Sequence, residues 1–340
     1  MPTSRDTRYP ARFLRSEKNQ VFGRAALGFT LVELLVATAI LALLVVILAS
    51  VFGSVSKTWL LGQAASDRLQ NIRTITDLMT GELRSALLPV NRTDKANLEF
   101  VVNPDNISPS FRNADAIFWQ APVGRDQTLG DVAAVGYFVK WDESNPANPR
   151  PILCRFYASE SASGANFLVY SQAGGSVKWL SDQIINAVAS ADKANGYQGL
   201  IAENAVALFV QCLDARGKPI ETDYHGTAFA NKGFNSRLGF RDASGAKTAD
   251  FTDATGAKSP ICVLPPMVRL SFVLIDARAA ARITPSQKSA LISLSGTIAQ
   301  QSPKGDANAF VTAALADSQF KGVSDGLRAS QTEINLLNAR

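Results

Sequence analysis

Histidine is nearly missing from these 340 residues: His225 is the single one, and cysteine stops at Cys154, Cys212 and Cys262. Widely separated thiols without a CxxC pair leave no basis for a zinc site of Cys or Cys/His type. A Ser-His-Asp arrangement would hang on His225 alone, inside the polar stretch Asp223-Tyr224-His225-Gly226, and no GxSxG, HExxH, P-loop or GxGxxG accompanies it. A histidine there reads as an exposed loop residue. Asp250 and Asp253 are too few acids for a calcium site and read as solvated. The expectation is no catalytic residue, no metal and no cofactor, hence not an enzyme.

A charge excess of one sign is also absent from most of the chain. Residues 1–28 hold six basic side chains (Arg5, Arg8, Arg12, Arg15, Lys18, Arg24) against Asp6 and Glu17, so +4 of the formal +5 lies there and only +1 remains beyond. The basicity belongs to a leader, and no nucleic-acid face is expected. The same leader is polar and aperiodic, with Pro2 and Pro10 set against a continuous helix, and reads as a disordered cytoplasmic segment.

What the chain does have is a long apolar run. Leu34 to Ser56 carries no charge, and from Leu31 to Phe52 only Glu33, Thr38 and Ser50 interrupt the hydrophobic residues. A helix over Phe29–Phe52 would be about 36 Å long, enough to cross a hydrocarbon core of ~30 Å. Arg12, Arg15, Lys18 and Arg24 precede it while Lys57, Asp67 and Arg68 follow, so the positive-inside rule puts the N-terminus in the cytoplasm and the rest in the periplasm. The run is too long for a secretory signal core of 7 to 15 residues.

Gly28-Phe29-Thr30-Leu31-Val32-Glu33-Leu34 marks the boundary of this run. A glycine there offers a protease an unhindered backbone. An acid just inside an apolar span costs on the order of 2.5–3.5 kcal/mol at the bilayer centre and less near the edge, so it needs a partner. Cleavage after Gly28 would create that partner: the new Phe29 α-amine lies one helical turn from Glu33, in the same chain or in a neighbouring one. An ion pair in low dielectric fixes geometry more than it adds stability. The competing reading is a plain signal anchor whose Glu33 snorkels to the headgroups.

This run resembles the cleavage and methylation site of type IV prepilins and type II secretion pseudopilins. The resemblance implies Gly28 as the residue before the cut, Phe29 as the N-methylated terminus and Glu33 as the assembly carboxylate. It implies prepilin peptidase, other pilin or pseudopilin subunits and inner-membrane lipid as partners, and a single-pass inner-membrane location that precedes incorporation into a filament. The leader is long for that family, and no proline kinks the span.

Downstream, Met79 to Ala86, Ala202 to Leu208 and Leu264 to Leu270 are similar to large minor pseudopilins of the J type and to PilW-like minor pilins. Lys57-Thr58-Trp59, Ala116 to Pro122 and Pro265 to Arg269 are closer to the pilin-like "cassette protein C" group of Verrucomicrobia. The implied function is a minor subunit at the tip or in the initiation complex of a pilus-like or pseudopilus filament. The alternative is a membrane-anchored binding or adhesion module displayed by such a filament, using Phe118, Trp119, Trp141 and Trp179; aromatic residues at strand positions more often form core.

The expected fold class is α+β and pilin-like, a long N-terminal helix on an antiparallel β-sheet head. The expected organisation is leader 1–28, helix 29–88 (29–52 transmembrane, 53–88 amphipathic), β-rich periplasmic head 89–283 and a C-terminal extension 284–340 that is partly helical or disordered. In the second half of the helix, Val55, Trp59, Leu69, Ile72, Ile75 or Thr76, Met79, Leu83 and Ala86 trace one apolar face that Pro89 ends, while Gly53, Gly62 and Gly81 suggest bending or close packing. Strands are expected at 98–102, 116–120, 132–141, 152–158, 167–170, 205–213 and 268–275, and short helices at 309–317 and 324–338. The periplasm would allow one disulfide, with no pair selected by spacing; the apolar surroundings of Cys154 and Cys212 favour buried free thiols.

Overall fold

A computed structural model describes residues 29–87, 98–104, 107–111, 113–123, 132–159, 180, 182–187, 196–222, 233–236, 240–241, 251–252, 258–259, 264–301 and 303–338. The chain divides into two units, Met1–Trp59 and Leu60–Arg340. Residues 1–28, Pro89, the expected strand at 167–170, Trp179, His225, Asp250, Asp253 and Cys262 lie outside the described residues.

In the first unit the described residues belong almost entirely to helix α1, whose full extent is Leu31–Arg84. Leu31–Leu60 is long and apolar enough to cross a membrane, and its apolar window has no buried side chain. A helix apolar all round has no solvent-facing side, so its surface calls for lipid or for other helices. Three hydroxyls within it bond to the helix's own carbonyls. Thr38 donates to the Leu35 carbonyl at 2.9 Å, Ser54 to Val51 at 2.9 Å and Thr58 to Ser54 at 3.0 Å. These bonds remove the cost of placing hydroxyls in hydrocarbon.

The second unit begins with the rest of α1, which buries Ile75, Met79, Leu83 and Ala86. The apolar face is shorter than the sequence suggests: Leu69 is 60% exposed, and Ile72 is half-buried against the core. The last turn tightens, with Ser85 N–H bonded to the Glu82 carbonyl and Ala86 N–H to Leu83, so the helix stops ahead of Pro89. Gly53, Gly62 and Gly81 have open space where a Cβ would sit, so none marks a close approach within the chain.

The strands follow in chain order as β1 (Phe100–Val102), β2 (Ala116–Ala121), β3 (Ala133–Asp142), β4 (Arg150–Ser159), β5 (Gly196–Glu203), β6 (Ala205–Leu213), β7 (Glu221–Thr222), β8 (Phe234–Asn235), β9 (Phe240–Arg241), β10 (Phe251–Thr252), β11 (Lys258–Ser259), β12 (Met267–Ile275) and β13 (Leu327–Asn335). Six of them form an antiparallel sheet ordered β5-β4-β3-β2-β1-β8, and three form a second ordered β13-β12-β6. The pairs β7-β9 and β10-β11 are small ribbons.

Both faces of the large sheet are covered. Phe100, Ile117, Trp119, Val135 and Tyr137 point to the side taken by α1 and by one face of the smaller sheet, while Val101, Phe118, Phe138, Cys154 and Phe156 form a separate core on the other side with Phe111, Leu180 and Ile185. Burial on both faces is why β2, Ala-Ile-Phe-Trp-Gln-Ala, is buried throughout instead of alternating. Gly136 sits opposite Phe118 in the β2–β3 register, and a Cβ there would lie 2.1 Å from the Phe118 ring.

The C-terminal segment is part of the head. Helices α3 (Ala277–Ala280), α4 (Pro285–Ala299) and α5 (Ala307–Ala316) cover the second face of the smaller sheet, where Phe310, Leu291 and Phe320 meet Val206, Phe209, Val273 and Ile275. A further short helix, α2, spans Asp182–Ala187. The expected helix at 309–317 is found as α5. The one expected at 324–338 is instead strand β13, paired with β12 from Leu327↔Ile275 to Asn335↔Met267. Nine consecutive ladder partners outweigh the weak helical spacing of Ile334 and Leu337.

Candidate functional site

Thr30 and Glu33 build the start of α1. Glu33 N–H donates to Thr30 Oγ1 at 3.2 Å, and Thr30 N–H donates back to Glu33 Oε2 at 3.2 Å, with the Thr30 hydroxyl on the same oxygen at 3.1 Å. This reciprocal pair is a capping box, and the helix dipole favours the carboxylate at that end. The signal for it in the sequence is the Thr-x-x-Glu signature ahead of an apolar run. Phe29 precedes the cap and is 81% exposed. The structure thus brings Phe29, Thr30 and Glu33 together at an accessible helix start, while Gly28 lies outside the described residues.

A second polar cluster, not anticipated from sequence, holds α1 to the large sheet. Glu82 accepts from Arg155 through Nε at 3.0 Å and Nη2 at 2.5 Å, and from the Tyr137 hydroxyl at 2.5 Å. Both charged side chains are only 13% exposed. The fork of Arg155 makes the pair bidentate, and its guanidinium lies 4.8 Å from the Tyr157 ring centroid. Burial first, then the neighbouring Glu82 charge and its hydrogen bond, raise the Tyr137 pKa above its ordinary value of 10.0. For Arg155 burial is the largest single influence and opposes the charge, yet the hydrogen bonds and charges of Glu82 and Tyr137 together outweigh it and the pKa rises. Glu82 lies on the helix face between Met79 and Leu83, so a polar anchor sits within the apolar seam.

The aromatic residues considered for a contact surface lie elsewhere. Phe118 and Trp119 are fully buried, in the two separate cores of the large sheet, and Trp141 is half-buried against the C-terminal helices. Cys154 and Cys212 are buried free thiols. Burial pushes the Cys154 thiol up to about 11 and raises that of Cys212 as well. Among the described residues no three His, Cys, Asp or Glu side chains gather into a possible metal site.

No curated protein sequence matches this chain. Residues 23–49 match the prokaryotic N-terminal methylation motif. That match covers Phe29, Thr30, Glu33 and much of the apolar helix, and it supports a type IV pilin-like or pseudopilin subunit processed by prepilin peptidase and anchored in the inner membrane.

Proposed function

We propose that this chain, with a prepilin-type methylation motif ahead of a membrane-length helix, is a minor pilin or pseudopilin that acts at the tip or in the initiation complex of a filament. The observation that carries the reading is the helix start: Phe29, just ahead of α1, and Glu33, in its first turn, are both exposed, and the apolar window of the helix has no buried side chain. After cleavage the Phe29 amine and the Glu33 carboxylate form the polar end of an otherwise apolar rod. In hydrocarbon each is costly alone and much less so when paired, so a neighbouring subunit's helix is seated at the register that pairs them.

The tip position follows from bulk. The second unit runs from Leu60 to Arg340 and carries two sheets with three helices packed on the smaller one. Repeating so large a head along a shaft whose rise is set by helix packing would crowd the surface, whereas one copy at an end is not repeated. The proposed chemistry is done to this protein by its peptidase, and the chain itself is assigned no enzymatic activity. The J-type and PilW-like subgroups and the head-out, periplasmic topology belong to the same proposal.

N-terminal sequencing of the membrane-bound protein tests the processing step: a start at N-methylated Phe29 is expected, and an intact Met1 overturns it. An epitope in the head should label filament ends or an inner-membrane complex. Uniform labelling along filaments would sink the tip assignment.

A further inference from the structure

Inside the head, Asp115 links a lysine to an asparagine in a buried polar cluster. Lys304 Nζ lies 2.7 Å from Asp115 Oδ2, with the two side chains 3% and 0% exposed. Asn103, 1% exposed, donates its Nδ2 to the other oxygen, Asp115 Oδ1, at 2.5 Å. The Asn103 carbonyl oxygen accepts the Ala116 N–H at 2.9 Å. Two backbone anchors fix the arrangement: Val210 N–H donates to Asp115 Oδ2 at 2.7 Å, and Lys304 Nζ donates to the Val210 carbonyl at 2.8 Å. Asn103 is held in the left-handed region with φ 55°, a conformation uncommon outside glycine.

A buried lysine in an apolar domain is costly, and a plain ion pair seldom repays that cost. These three side chains have the parts for a different outcome. The amine is a nucleophile once it loses a proton, the carboxamide is an electrophile whose oxygen is already held by a backbone N–H, and one carboxylate touches both nitrogen atoms. We infer that Lys304 and Asn103 join in an intramolecular isopeptide bond, with Asp115 as the proton relay.

Lys304 Nζ passes a proton to Asp115, and its lone pair forms the bond to Asn103 Cγ. The carbonyl electron pair moves onto Asn103 Oδ1, which the Ala116 N–H stabilises. The pair returns, the Cγ–Nδ2 bond breaks, and the two protons relayed from Nζ leave with that nitrogen as ammonium. Asp115 ends as it began. No oxidant, cofactor or activated donor is required, and exclusion of water by the surrounding core prevents competing hydrolysis. The product would tie the end of β1 to the connection between α4 and α5, joining the large sheet covalently to the segment that covers the smaller one. The inference is independent of where the subunit sits in a filament.

Peptide mapping of the full chain extracted from membranes tests it. Trypsin should fail to cleave after Lys304, and the segment containing Asn103 should appear as a branched species with the one containing Lys304, about 17 Da lighter than their sum. The separate, unlinked peptides should be largely lost from the map. The Lys304→Arg and Asp115→Asn variants should restore them. Unlinked peptides at full yield from the natural chain overturn the inference, and so does a species about 18 Da lighter that joins Lys304 to Asp115 by loss of water.

Discussion

Glu33 Oε2 receives both the backbone N–H and the hydroxyl of Thr30, so the carboxylate expected to serve assembly is already in use within its own chain. The cap uses one of the two carboxylate oxygens, which leaves Oε1 to receive a neighbouring subunit's amine. Replacing Thr30 by Ala should cost the helix start about 1 kcal/mol, seen as fewer helical residues by circular dichroism for a peptide covering 29–60 in micelles, while the full-length variant is still cleaved after Gly28. Glu33→Gln keeps the shape and removes the charge; the processed protein is expected to accumulate in the membrane and to be lost from filaments, as read by fractionation and blotting. Elsewhere, Gly136 leaves no room for a methyl group beside Phe118, and Gly136→Ala should destabilise the head by about 1–3 kcal/mol through overpacking, measured by urea unfolding. Cys154, with its thiol pushed up to about 11 by burial, should resist a maleimide at neutral pH in the native head and react once urea is added.

The α1 seam shows what pattern alone reveals about an element and what it misses. Ile75, Met79, Leu83 and Ala86 were legible because three- and four-residue spacing of apolar side chains is a property of one helix. Glu82 is not legible in the same way, because its partners, Tyr137 and Arg155, come from β3 and β4 and no local pattern announces them. Glu82→Ala would leave Arg155 without its carboxylate and should cost about 3 kcal/mol, read from a chemical-denaturation midpoint. The raised Tyr137 pKa sets the alkaline limb. Its neutral form is favoured in the fold, so this contribution is complete below the unfolded value near 10.0 and is lost as pH climbs through the higher folded value. Stability should therefore begin to fall as the pH passes about 10 and keep falling above it, and the Tyr137→Phe variant should show a shallower decline. Among the strands, β2, β3, β4, β6 and β12 were legible as apolar runs because both their faces meet core. By contrast β5, Gly-Tyr-Gln-Gly-Leu-Ile-Ala-Glu, is glycine-rich at a sheet edge, and β13 buries mainly Leu327 and Ile334. An edge strand owes its shape to its neighbour, which the sequence of the strand itself does not contain.

For the whole molecule, the α+β class and the order of a long helix before an antiparallel head were readable from the switch in hydrophobic period after the span. The role of the last fifty-odd residues was not, because their apolar positions make sense only once the smaller sheet exists to receive them. Phe310, Phe320 and Leu327 are fully or almost fully buried against that sheet. Pinning is what the end of the chain adds. The stretch leaving α1 is held twice, by Leu87 N–H on the Gln120 carbonyl at 3.0 Å and by Asn338 Nδ2 on the Ala86 carbonyl at 2.8 Å. A pull on the helix is therefore divided at once between β2, in the large sheet, and the tail that follows β13, in the smaller one. Load entering at this point is shared between the two sheets of the head instead of falling on one strand alone.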